Sequence, residues 1–152
     1  MESTQAQLVL GAGLGLLGIG VMHWMTRDTP ARLSSPETVP KLRGFTKEEL
    51  RRFDGSHGGP VYISVKRRVY SVAPNFYGVG GPYACFAAKN CSRNLGKSQI
   101  SDSEANADWT TLSADHISVL NDWDEKFRMK YDTVGWLIPD DEYYRKGAEF
   151  DP

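Results

Sequence analysis

The sequence predicts a small α+β domain behind a single N-terminal transmembrane helix. Three observations carry this expectation. Val61-Tyr62-Ile63-Ser64-Val65 and Val69-Tyr70-Ser71-Val72 are rich in β-branched and aromatic residues and read as paired strands. Ile117, Leu120, Trp123 and Phe127 keep an apolar stripe at helical spacing. Leu8 to Met25 is apolar except for His23. At about 1.5 Å per residue that run is roughly 27 Å long, enough to cross a hydrocarbon core.

The elements follow in chain order. The start, MESTQAQ, has no positive side chain, and MTRDTPAR after the apolar run is a poor cleavage site, so residues 1–26 are expected to be a retained anchor rather than a signal peptide. Arg27, Arg32, Lys41 and Arg43 all follow the anchor, which places the C-terminal domain on the cytoplasmic or equivalent side. Gly11 and Gly15 are spaced for close helix approach within the membrane. Residues 27–43, with Pro30, Pro36 and Pro40, read as an irregular linker.

The domain itself is expected over residues 44–138. Thr46-Lys47-Glu48-Glu49 is a capping box, with Phe45 and Leu50 placed as a hydrophobic staple, and the helix it starts reaches about Phe53. Lys66-Arg67-Arg68 makes the bend between the two strands, as a solvated turn or as a contact with a membrane surface. Gly78, Gly80, Gly81 and Pro82 form a tight turn between Tyr77 and Tyr83. A short helix from Ala84, a turn at Ser92–Gly96 and a polar surface loop from Lys97 to Asp108 come next. Ser113 caps a long helix from Ala114 to about Lys130, and Val134 to Ile138 is a last strand stopped by Pro139. The tail, residues 139–152, is charged and aromatic. It reads as loose, or as docked onto a partner through Tyr143, Tyr144 and Phe150.

Composition narrows the function. The chain has 152 residues, 24% charged and 40% hydrophobic, with a net charge of -1, so no strong field recruits nucleic acid. Cys85 and Cys91 are spaced neither as a redox pair nor as a zinc motif, and two free thiols are the plain reading. His23, His57 and His116 are scattered and no nucleophile, base and acid set is visible, so a non-enzymatic role is expected.

Four blocks in one order, FTKEELRRFDG, VYISVKRRVYSV, FYGVGGPYACFAAKNCSRNL and LNDWDEKFRMKYDTVGWL, resemble the membrane-associated progesterone receptor family. The resemblance spans Phe45 to Leu137. It implies a cytochrome b5-like domain that binds haem or steroid, with the tyrosine of the GPY motif as the axial ligand of a five-coordinate ferric iron. That tyrosine is Tyr83. Tyr77, Lys130 and Tyr131 match the supporting positions, where a phenol or an ammonium can hydrogen-bond the ligand or a propionate. A phenolate is a hard anionic donor suited to ferric iron. The implied role is a haem carrier, or an adaptor for haem-dependent membrane enzymes, with self-association through the open haem face. The family also implies an endoplasmic reticulum address, with a mitochondrial membrane as the alternative. His57-Gly58-Gly59-Pro60 resembles the HPGG of bis-histidine cytochromes but is permuted and precedes the first strand of the hairpin, so it reads as loop chemistry.

Two departures matter. Arg67 and Ser71 replace a glycine and an aspartate of the family's hairpin, and Ala88 and Asn90 replace another such pair. They support a second reading: a haem-free member serving as an accessory subunit of a larger membrane protein complex, with Tyr77 and Tyr83 kept as packed phenols.

Overall fold

A computed structural model describes residues 41–152. The expected anchor, and the linker up to residue 40, lie outside the described residues. Among the described residues no helix is long and apolar enough to cross a membrane.

A four-stranded sheet organises the domain. Its strands are β1 (Arg43–Phe45), β2 (Val61–Val65), β3 (Arg68–Val72) and β4 (Asp132–Leu137), in the spatial order β1-β4-β3-β2. β1 runs parallel to β4, and the other pairings are antiparallel. The free side of β2 is covered by backbone bonds to the segment from Ala88 to Cys91, at 2.8 to 3.0 Å, which leaves that edge no unpaired ladder.

The two faces of the sheet carry different cores. On one, Phe45, Val69 and Leu137 pack with Leu50 of α1 (Lys47–Leu50), Val134 and Tyr143, and the rings of Phe53 and Tyr62 close over them. On the other, Tyr70 meets Phe127 of the long helix α4 (Ala114–Lys130), with ring centres 5.6 Å apart. The helix ends follow the local chemistry read from sequence. Thr46 and Glu49 form a reciprocal capping box at 3.2 and 2.9 Å, and the Ser113 hydroxyl accepts from the His116 amide. α1 is shorter than expected, ending at Leu50 and followed by a turn.

Two regions differ from expectation. Arg43, placed in the irregular linker, begins β1. A three-residue strand has no periodicity to read, and only its partner β4 makes it one. The tail is not loose: residues Asp141–Glu149 form helix α5, capped by Asp140 and docked on the same domain. Tyr143 is buried, its carbonyl accepts from the Asp108 amide, and the Thr111 hydroxyl donates to the Gly147 carbonyl.

Arg93 holds this C-terminal segment. It lies on α3 (Ser92–Gly96), whose five residues are all buried, and it is 0% exposed. Its guanidinium donates to Glu104 at 2.7 Å, to the Asp108 carbonyl at 3.0 Å, to Thr111 at 2.7 Å and to the Asp151 carbonyl at 2.6 Å. Lys97 joins from the same helix, donating to Glu104 and to Asp151. Burial alone would raise the pKa of the Glu104 carboxyl, but hydrogen bonds from Lys97 and Arg93 outweigh it and hold it below the usual range.

Three outcomes are expected. The β2–β3 turn puts Lys66 and Arg67 at φ 48° and 66°, the left-handed pair that favours glycine. Arg67→Gly is therefore expected to raise unfolding stability by about 1 kcal/mol in a denaturant titration, less whatever is lost with the Arg67–Leu137 side-chain bond. A Cβ at Gly147 would sit 2.8 Å from the Asp108 carbonyl oxygen. Gly147→Ala should accordingly loosen α5 and cost about 1–3 kcal/mol in the same titration. Because the pKa of Glu104 is lower folded than unfolded, its contribution is present above about pH 4.3 and is lost as pH falls through the folded value. Glu104→Gln should be less stable than the parent at neutral pH, and acid titration of both should show the gap closing below about pH 4.3.

Candidate ligand site

The site is built from a short helix, a glycine turn and the end of α4. Helix α2 (Pro74–Tyr77) starts with proline at its first position, where a missing N–H costs nothing. The chain then reverses. Gly80 takes φ 79°, and a Cβ at Gly81 would lie 2.4 Å from the Phe76 carbonyl oxygen, so only glycine lets the turn close there. The Tyr83 amide donates back to the Phe76 carbonyl at 2.9 Å and fastens the far side of the turn to α2. The turn thus holds two phenols side by side: the rings of Tyr77 and Tyr83 are 5.7 Å apart.

Tyr77 is the centre of an aromatic cluster. It is buried, and its ring also meets Tyr131 at 6.2 Å, edge to face, and Phe127 at 6.3 Å. Tyr83 is half-buried and parallel to Phe86, with centres 6.4 Å apart. The Lys130 ammonium lies 5.7 Å from the Tyr131 ring centre, and both residues are half-buried. Tyr77, Tyr83 and Tyr131 are therefore brought together, with Lys130 attached through Tyr131. Phe127 and Phe86 complete the cluster. Phe127 was visible in sequence as core, but nothing in its spacing marked it as a neighbour of the site. Neither His57, exposed in the turn Ser56–Gly58, nor His116 joins the cluster. Among the described residues no group of three or more His, Cys, Asp or Glu side chains is placed to hold a metal ion.

Both phenols of the turn are held protonated. Burial pushes the Tyr77 pKa far up, and the Tyr131 phenol adds to it by charge and by a side-chain hydrogen bond. Desolvation raises Tyr83 as well. Ionising Tyr83 near neutral pH therefore takes an added cation at its oxygen.

The surroundings of Tyr77 are filled by rings on one side and open on another. A cleft of about 360 Å³ borders it, lined also by Arg51, Asp54, Ala84, Ala88 and Lys89; Tyr83, Lys130 and Tyr131 do not line it. Ala88, where the family has glycine, adopts φ 58°. Asn90, where the family has aspartate, is buried, and its carbonyl oxygen accepts from both the amide and the hydroxyl of Ser92. An amide oxygen serves that turn as a carboxylate would, so the substitution leaves the local fold intact.

The two tyrosines are expected to separate in stability measurements made without ligand. Tyr77→Ala empties the cluster and should cost about 3–5 kcal/mol. Tyr83→Phe keeps a half-buried ring and should stay within about 0.5 kcal/mol of the parent by chemical denaturation.

No protein-family model matches the chain. Curated relatives do. The chain is 34% identical over 148 residues to the cytochrome P450 regulator dap1 of Schizosaccharomyces pombe, covering 91% of this chain and 87% of that one. It is 33% identical over 131 residues to human membrane-associated progesterone receptor component 2, covering 82% of this chain and 56% of that protein. Among solved structures, a hypothetical protein from Arabidopsis thaliana described as having a cytochrome b5 like fold superimposes with a TM-score of 0.59 at 35% identity, over 70% of this chain and 99% of its own. With that fold, and with this identity across most of the yeast regulator, the chain belongs to the membrane-associated progesterone receptor family.

Proposed function

We propose that the chain is a membrane-anchored haem-binding module that acts as a haem carrier or as an adaptor for haem-dependent membrane enzymes. The observation that carries this reading is the meeting of Tyr83, Tyr77, Tyr131 and Lys130, from two distant segments, around one ring cluster. The relative named as a cytochrome P450 regulator supports the haem-enzyme side of it.

The donor set fits the group. Tyr83 is half-buried and so can be approached from outside, its phenol can become an anionic ligand, and the buried rings of Phe86 and Phe127 back the cluster with apolar surroundings. Bound there, haem would supply a Lewis-acidic ferric iron. Tyr83 would hold the iron and give up its Oη proton. Tyr77 and Tyr131 would hydrogen-bond that oxygen or the ligand, and the Lys130 ammonium would meet an acidic edge. The module itself turns over no substrate. In this reading residues 1–26 anchor it, and the domain faces the cytoplasmic or equivalent side.

A second reading, a haem-free accessory subunit of a larger membrane protein complex, draws on the packing of Tyr77 among rings and on the replaced Ala88 and Asn90. One titration separates the two. The full chain in detergent is titrated with ferric haem at several pH values. The haem reading expects a saturable high-spin ferric spectrum that is lost in Tyr83→Phe and is about 10–100-fold weaker in Lys130→Ala. Its affinity should rise with pH, by up to about tenfold per unit, because binding releases the Tyr83 proton. A spectrum indifferent to Tyr83→Phe, or no saturation at all, would leave the subunit reading.

A further inference from the structure

The basic turn Lys66-Arg67-Arg68 has no part in the aromatic cluster, and the structure sets it beside an exposed apolar patch. Arg67 is bound to Leu137 in both directions: the Leu137 amide donates to the Arg67 carbonyl at 2.7 Å, and Arg67 Nε donates to the Leu137 carbonyl at 3.3 Å. Leu137 points into the core, so its neighbours Trp136 and Ile138 point to the opposite face, where they are 48% and 46% exposed. Both lie over Gly44: a Cβ there would be 2.7 Å from Ile138 and 3.2 Å from Trp136. Leu42, directly before β1, is 51% exposed. Helix α4 covers the Tyr70 part of this face and leaves the β1–β4 end open.

Basic side chains border the patch. Lys41 and Arg67 are exposed, and Arg68 stands across the ladder from Trp136. Arg43 lies over the Phe45 ring on the other face of β1 and pairs with Glu49 at 3.5 Å. Asp140 pairs with Lys47 at 3.2 Å, and Asp124 with Arg68 at 3.9 Å.

We propose that this end of the sheet is a lipid-contact surface, on which Trp136, Ile138 and Leu42 enter the headgroup layer of an anionic bilayer while Lys41 and Arg67 meet lipid phosphates. Two arguments favour lipid over a protein partner. Three side chains fall well short of the roughly 800 Å² per partner that a stable protein interface buries. A lipid surface asks less: a tryptophan at headgroup depth, and basic residues that each add about a fivefold gain near an anionic leaflet. The second argument is covalent. Leu42 and β1 follow the apolar run Leu8–Met25 along the chain, and the 17 residue steps from Met25 to Leu42 reach at most about 60 Å. A segment seated in a bilayer would hold the patch at high local concentration of the same surface. The inference is independent of whether haem binds.

The test uses the full chain in phosphatidylcholine vesicles containing about one-fifth phosphatidylserine, with bromine on the phosphatidylcholine acyl chains to quench nearby tryptophan. The chain has four tryptophans, and the difference between the parent and Trp136→Phe isolates Trp136. The expected result is bromine quenching of the Trp136 emission, weakened several-fold by Arg67→Glu or by replacing phosphatidylserine with phosphatidylcholine. Arg145→Glu, an equal charge reversal on α5, should leave it unchanged. The proposal is overturned if Trp136 emission is the same with and without bromine. It is also overturned if Arg145→Glu matches Arg67→Glu, which would mean unspecific attraction.

Discussion

The buried Arg93 guanidinium is the interaction on which most of the domain's lower half depends. A charged group at 0% exposure is sustainable only when it is well bonded, and all three guanidinium nitrogens of Arg93 donate, to four acceptors from three separate stretches of chain. It thereby joins α3 to the polar loop, to the start of α4 and to the end of the C-terminal segment. The Phe150 ring, 5.7 Å from its carbon centre, adds an aromatic contact from the same segment. Together with Tyr143, packed in the core, this side chain ties the polar loop and the charged tail to the domain.

The aromatic cluster sits above this scaffold and depends on it indirectly. The segment leading to Arg93 runs along β2, fastened by the bonds from Ala88 to Cys91, and this fixes the far end of the loop that contains Tyr83. The near end is fixed by α2 and by the Tyr83–Phe76 backbone bond. Tyr77 and Tyr83 are therefore presented by a loop tied at both ends, while Lys130 and Tyr131 come from the last turn of a long helix packed on the sheet. Such a pairing of rigid elements fixes the four side chains relative to one another.

The departures from the family pattern have local and different consequences. Arg67 and Ala88 occupy left-handed backbone positions where glycine would carry no steric cost, so the fold bears some strain at each. Asn90 keeps the oxygen acceptor that the turn at Ser92 uses, but its buried Nδ2 finds no hydrogen-bond partner among the described residues. The changes alter stability at the edges of the hairpin and loop and leave the aromatic contacts of the site in place.

Sequence alone determined the elements whose signals are local. The capping box at Thr46, the hairpin strands, the Ser113-capped helix and its end at Lys130 all stand where side-chain chemistry within a few residues places them. The order of motifs also determined the family, and with it the four candidate site residues. Tertiary structure decided the rest, because the deciding partners are far apart in sequence. β1 is a strand only beside β4. The tail is a docked helix only because Asp108, Thr111 and Arg93 receive it. Nothing local in sequence marks Arg93 as buried; it becomes so where Asp151, 58 positions later, folds back to it. The patch of Leu42, Trp136 and Ile138 is likewise invisible as a run, since it forms across two strands and its exposure depends on where helix α4 stops.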